Sequence, residues 1–78
     1  MDNNPKNYLL TERETEVLKY ILKGYTNKEI AKTLYISIDT VKAHVSSILF
    51  KMKVEDRLGI VLKLFDIDIK DFIKSLEE

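Results

Sequence analysis

The stretch from Thr26 to Met52, TNKEIAKTLYISIDTVKAHVSSILFKM, decides the fold of this 78-residue chain. It holds two helix-start signals, a capping box from Thr26 to Glu29 and an N-cap serine at Ser37. Apolar residues follow each signal at helical intervals. Because only about three residues separate the two segments, the helices are expected to cross steeply instead of pairing side by side. The stretch therefore predicts a helix-turn-helix.

The second helix of this pair has two unlike faces. It is expected to run from Ile38 to Met52, with an apolar stripe made of Val41, Val45, Ile48, Leu49 and Met52. The opposite side carries small and basic residues, which is typical of a helix that enters the major groove of DNA. The side chains expected to read base edges there are Lys42, Ala43 and Ser46. Lysine can donate to guanine, serine can pair with several base edges, and alanine can touch a thymine methyl group.

Further polar residues are placed to contact the DNA backbone. Side chains and helix N-terminal amides in this region are expected to reach phosphates. The residues assigned to that role are Thr26, Asn27, Lys28, Thr40, His44, Ser47 and Lys51. A plainer interpretation stays open for some of the polar residues: Lys42 as a solvated charge, and Ser46 and Ser47 as ordinary surface serines.

The rest of the chain also reads as helical, so the fold class is all-α. A capping box from Thr11 to Glu14 begins a first helix, and Gly24 is expected to end it in a left-handed conformation. A fourth helix is expected from Arg57 to Phe65 with Asp56 as its N-cap, and a short fifth one after Asp66 or Asp68. The predicted organisation is a flexible arm (1–8), a helix-turn-helix DNA-binding domain (9–65) and an acidic C-terminal extension (66–78).

The charges are unevenly distributed although the formal net charge is zero. Residues 17–54 hold seven lysines and two acids, a net of +5, whereas residues 66–78 hold five acids and two lysines, a net of −3. A basic middle segment fits phosphate contact regardless of the total.

Composition excludes several other classes of protein. The chain has no cysteine, one histidine and two glycines. Disulfides, zinc sites and a glycine-rich phosphate loop are therefore not expected, nor is a cofactor or a small-molecule ligand. His44 has no plausible nucleophile beside it, so the protein is not expected to be an enzyme. No apolar run approaches the ~20 residues of a membrane helix and no signal peptide is visible, which predicts a cytoplasmic protein without membrane contact.

Several motifs together resemble a known family. They are LTERETEVL (10–18), NKEIA (27–31), TVKAHV (40–45), KMKV (51–54) and Arg57. Residues 9–65 resemble, without gaps, the LuxR-type (GerE/NarL-like) DNA-binding domain. The resemblance implies a four-helix domain that binds double-stranded DNA, forms a homodimer through its fourth helix and controls transcription at bacterial promoters. RNA polymerase is a further candidate partner.

The fourth helix carries the residues expected at the dimer interface. Leu58, Leu62 and Phe65 fall on one side at i, i+4 and i+7, which leaves Ile60, Val61 and Leu64 to face the core. An interhelical salt bridge between Glu14 and Arg57 is also expected.

The sequence departs from the family pattern in three ways. Phe50 stands where the family is usually basic, Lys53 where it often has glycine, and the pair Leu58-Gly59 replaces a polar pair. The chain resembles the short single-domain GerE type, and Met1 with the polar arm favours a free-standing protein over an excised C-terminal domain. Phe50 and the acidic tail also support an alternative function, a protein-interaction antagonist that dimerises with related regulators.

Overall fold

The computed structural model describes residues 8–65 and 69–77, and within them the protein is all-helical, without a strand. The helices are α1 (Glu12–Leu22), α2 (Asn27–Leu34), α3 (Ile38–Met52), α4 (Arg57–Phe65) and α5 (Ile69–Glu77). The predicted all-α class, with four helices and a short fifth one, is confirmed. The proposed caps Asp66 and Asp68 lie outside the described residues, as does the arm up to residue 7.

Local side chains start the helices where the sequence predicted. At α1 the Glu14 amide donates to the Thr11 hydroxyl (3.1 Å) and the Thr11 amide donates to the Glu14 carboxylate (2.9 Å). Thr26 and Glu29 make the same reciprocal pair at α2, at 3.1 and 2.8 Å. At α3 the Ser37 hydroxyl accepts from the backbone amide three residues later at 3.0 Å. Each such cap contributes about 1 kcal/mol, so the starts of these three helices are fixed locally.

The first three helices end in the same way, with one residue in the left-handed region. Gly24 has φ +89°, Tyr35 has φ +58° and Lys53 has φ +59°. After each of them a backbone amide returns to a carbonyl five residues earlier, from Tyr25 to Tyr20, from Ile36 to Ala31 and from Val54 to Leu49. The donating residue also packs against the core in each case. These Schellman-type ends fix the direction in which the chain leaves each helix.

Helix α3 lies at the centre of the domain and packs against α1, α2 and α4. Among the residues that the structure describes, ten apolar side chains form the buried core: Val17, Leu18, Ile21, Ile30, Ala31, Val41, Val45, Ile48, Met52 and Ile60. Four of them belong to the predicted stripe of α3, and Leu49 packs partly buried against them. The stripe is thus confirmed, and burial of one side of α3 leaves the opposite side facing outward.

A side-chain N-cap starts helix α4, and the beginning of α4 lies very close to the segment that follows α3. The Gly59 amide donates to the Asp56 carboxylate at 2.8 Å, as expected of an N-cap. A Cβ at Gly59 would lie 3.0 Å from the Cβ of Val54, so glycine permits this close approach. Further along, Ile60 is fully buried and Leu64 packs against the core, as predicted.

Candidate nucleic-acid interface

The three residues assigned to base reading lie together on the outer face of α3. Lys42, Ala43 and Ser46 are all exposed, while their neighbours Val41 and Val45 are buried. Lys42 and Ala43 lie in the first half of the helix and Ser46 follows one turn later, in the region that helix-turn-helix proteins direct at base edges. The geometry therefore presents a surface of one cation, one methyl group and one hydroxyl with no bulky side chain among them.

The N-termini of α2 and α3 also carry exposed polar side chains. Thr26 and Lys28 at the start of α2 are exposed, as is Thr40 in the first turn of α3. The Thr40 hydroxyl lies 2.9 Å from that of Ser37. The amides at a helix N-terminus and its positive dipole end attract anions. His44, the next candidate along α3, is half-buried.

Three other residues assigned to the DNA backbone already have partners within the protein. The Asn27 side-chain oxygen accepts from Arg57, the Ser47 hydroxyl donates to Glu14, and the Lys51 ammonium donates to Glu14 at 2.7 Å. Their contact with phosphate stays a prediction. A direct contact would have to share or replace these internal hydrogen bonds, which the sequence analysis did not predict.

Glu14 is the buried polar centre that joins α1 to α3. It is 5% exposed and accepts hydrogen bonds from the Thr11 amide (2.9 Å), the Lys51 ammonium (2.7 Å) and the Ser47 hydroxyl. Burial by itself would raise the pKa of Glu14, but these bonds, with the Lys51 charge, outweigh it and lower the pKa to about 2. Glu14 is therefore a carboxylate at neutral pH and holds α3 against α1.

The predicted salt bridge between Glu14 and Arg57 is wrong. Glu14 pairs with Lys51 instead. Arg57, the first residue of α4, donates to the Asn27 side chain and to the Tyr25 carbonyl, both at the start of α2. Arg57 thus ties α4 to α2. The Arg57 guanidinium carries five N–H donors in a planar fork, so it can bind these two acceptors at once without a carboxylate from α1.

The basic segment contributes fewer free charges to this surface than its net of +5 suggests. Lys51 is paired with Glu14, and the ammonium groups of Lys19 and Lys23 lie 5.0 and 5.7 Å from the Tyr20 ring centroid on α1. Four lysines in this region are exposed: Lys28 and Lys32 on α2, Lys42 on α3, and Lys53 directly after α3.

Phe50 is 84% exposed on α3, and no described part of the C-terminal extension covers it. An aromatic side chain this exposed is unusual on a small domain and is typical of a contact surface.

Residues 8–65 and 69–77 contain no cluster of three histidine, cysteine or acidic side chains that would hold a metal ion. No helix among them has the length and apolar character required to cross a bilayer.

A capped helix pair that presents a basic, small-residue face outward from a four-helix core is typical of a class of protein, the helix-turn-helix DNA-binding transcriptional regulators. Residues 8–64 match the model of the family described as bacterial regulatory proteins, luxR family. This chain belongs to that family. The resemblance seen in the sequence is thereby confirmed, and proteins of this kind are typically not enzymes.

The chain is also similar to several curated proteins called response regulator protein VraR. Those of Staphylococcus aureus strain Mu3, Staphylococcus saprophyticus and Staphylococcus epidermidis are each 54% identical to it over 57 residues. The matched segment covers 73% of this chain but only 27% of each relative. The similarity therefore concerns the DNA-binding domain and spans about a quarter of those longer proteins.

Proposed function

We propose that this protein is a sequence-specific transcriptional regulator that places α3 in the major groove of promoter DNA as a homodimer. One observation carries the proposal: Lys42, Ala43 and Ser46 are exposed together on the side of α3 that faces away from the core. A helix packed on three others and bare on one side is rigid enough to read base edges. Action on bacterial promoters places it in the cytoplasm, with RNA polymerase as a candidate partner.

Each part of the domain has a distinct task in this proposal. Lys42 donates to guanine, Ser46 pairs with a polar base edge and Ala43 allows close approach to a thymine methyl group. Lys28, Thr26 and Thr40 contact phosphates at the N-termini of α2 and α3. Contacts of the second kind set the position of the domain on the duplex, and contacts of the first kind set its sequence preference.

The dimer is proposed to form through α4. Leu58 is 57% exposed and Phe65 64% exposed, and Leu62 between them is half-buried without being part of the core cluster. Val61, expected to face the core, is also half-buried and outside that cluster, so it widens the same apolar side. A two-fold dimer would place its two recognition helices on half-sites about one helical turn apart.

Lys42→Ala and Lys28→Ala separate base reading from phosphate contact. We expect Lys42→Ala to relax the preference at one position of each half-site, by about 1–3 kcal/mol of discrimination. Lys28→Ala should weaken binding to all sequences about equally, because a phosphate contact carries no sequence information. Selection from a pool of random duplexes, followed by titration of selected and scrambled duplexes, measures both effects. If both variants lose affinity uniformly, Lys42 is only a phosphate contact.

A second function has one observation in its favour. Phe50, at 84% exposure, stands on α3 where a basic residue would be useful for DNA binding. An antagonist that dimerises with related regulators through α4 would keep the fold and bury Phe50 against protein. It predicts no DNA shift even at low salt, together with mixed dimers when the chain is combined with a related LuxR-type domain.

A further inference from the structure

Phe50 lies on the same side of α3 as the residues proposed to read bases. It follows Ser46 by four positions and Ala43 by seven, and both spacings return to one side of a helix. Ile48 and Met52, two positions before and after Phe50, are fully buried. Phe50 therefore projects almost directly away from the core, at 84% exposure, and extends the outer face of α3 by one turn beyond Ser46.

The surroundings of Phe50 on α3 suit a contact with DNA. Ser46, one turn before it, is small and exposed, and Lys53, three positions after it, is an exposed cation. Within Ile38–Met52 the only acid is Asp39, in the first turn and about 16 Å from Phe50 along the helix axis. No carboxylate of α3 would therefore repel phosphates from the part of the helix that carries the ring.

The chemistry of a phenylalanine ring limits what it can contact on a duplex. The ring has no hydrogen-bonding group and no charge, so it cannot replace the phosphate contact of a basic residue. The apolar group that a base edge presents in the major groove is the C5-methyl group of thymine, and phenylalanine is among the side chains that contact it. At this position the chain thus has a side chain suited to one base in place of one suited to any phosphate.

A protein partner would compete with DNA for this part of α3. Because Ser46 is only one turn away, a protein that covered the Phe50 ring would also cover the face proposed to read bases. The chain belongs to a family of regulatory proteins, and its helix-turn-helix supports DNA binding. Duplex DNA is therefore the occupant that Phe50 can share with Lys42, Ala43 and Ser46.

From this we infer that Phe50 is a further specificity-determining residue, whose ring packs against the methyl group of one thymine in each half-site. The inference rests on the proposed function, because the ring meets a base edge only if α3 lies in the major groove. The contact removes the ring and the methyl group from water, and it favours thymine over the other three bases at that position.

Deoxyuridine substitution tests the inference, because it removes the thymine methyl group and leaves base pairing unchanged. In a selected duplex, each thymine of one half-site is replaced in turn by deoxyuridine. At the position that Phe50 contacts, we expect the replacement to raise the dissociation constant of the wild type about fourfold, the effect of one apolar carbon no longer buried. Phe50→Ala should bind these two duplexes equally well, and Phe50→Leu should keep part of the preference.

Other variants separate this contact from its neighbours. A thymine contacted by Ala43 should give the same deoxyuridine effect in the wild type and in Phe50→Ala. Phe72→Ala, which removes an exposed phenylalanine from α5, is the matched control and should retain the wild-type preference. Phe50→Lys should lose the preference but bind all duplexes more tightly at low salt, through one added phosphate contact. Thermal melts of Phe50→Ala should match the wild type, because the ring is exposed.

The possible results distinguish failure of the inference from failure of the proposed function. If the wild type binds DNA but responds to deoxyuridine as Phe50→Ala does at every position, the inference is overturned and the proposed function stands. Equal weakening of Phe50→Ala on all duplexes would also overturn it and would assign the ring to a backbone sugar. No complex of the wild type with any duplex at low salt would overturn both, and mixed dimers with a related LuxR-type domain would then support the antagonist.

Discussion

Replacing Glu14 with glutamine is expected to lower the free energy of unfolding by about 3 kcal/mol at neutral pH. The carboxylate is buried, accepts from Lys51, Ser47 and Thr11, and has its pKa lowered from 4.5 to about 2. An amide of the same shape loses the charge attraction to Lys51 and offers one oxygen in place of two. Urea denaturation at about pH 7 measures the loss.

The same substitution should change the acid sensitivity of the domain. Because the pKa of Glu14 is lower in the folded than in the unfolded chain, its contribution is complete above about pH 4.5 and is lost as the pH falls towards about 2. Glu14→Gln should therefore remove much of the fall in stability over that interval. Glu16→Gln is the control, since Glu16 makes only an exposed pair with Arg13, worth about 0–1 kcal/mol. Equal effects of both substitutions would contradict a special role for Glu14.

Leu62→Asp is expected to leave the monomer folded and to abolish cooperative binding to a palindromic duplex. Leu62 is half-buried and does not belong to the core cluster, so a charge there should cost the fold little. In a dimer it would bring two carboxylates into an apolar interface, where unpaired charges are strongly unfavourable. Binding curves on one-site and two-site duplexes measure the loss of cooperativity.

Two control substitutions show whether the effect of Leu62→Asp is specific to the proposed dimer interface. Thr15→Asp adds the same charge on an exposed part of α1 and should preserve cooperativity. Ile60→Asp, at a fully buried position of α4, should unfold the domain. If Leu62→Asp unfolds the chain as Ile60→Asp does, Leu62 belongs to the core and the proposed interface on α4 is misplaced.

The sequence predicted the parts of the fold that depend on local patterns. Thr11, Thr26 and Ser37 start helices as expected because capping is decided within three residues. The boundaries of α3 and α4 followed from apolar spacing. The left-handed conformations of Tyr35 and Lys53 could not be derived in this way, since neither residue favours positive φ. Their conformations depend on packing by Ile36 and Val54, which becomes visible only in three dimensions.

The polar network that joins α3 and α4 to the rest of the domain was harder to predict. Glu14 looked like a capping residue, and it does cap α1, but its carboxylate also accepts from two residues of α3 more than thirty positions away. Arg57 reaches α2 over a similar separation. The spacing of residues along the sequence carries no information about hydrogen bonds between such distant side chains. The outer face of α3 that is proposed to read bases could be predicted from the sequence because it lies opposite an apolar stripe.

A salt titration of DNA binding tests the central claim most directly. Four exposed lysines, Lys28, Lys32, Lys42 and Lys53, lie in the helix-turn-helix region or at its end, while Lys51 is paired with Glu14. We expect the logarithm of the binding constant for a selected duplex to fall with the logarithm of salt concentration, with a slope of roughly −2 to −4 per subunit. A slope near zero, or no complex at low salt, would contradict the proposal that α3 binds DNA.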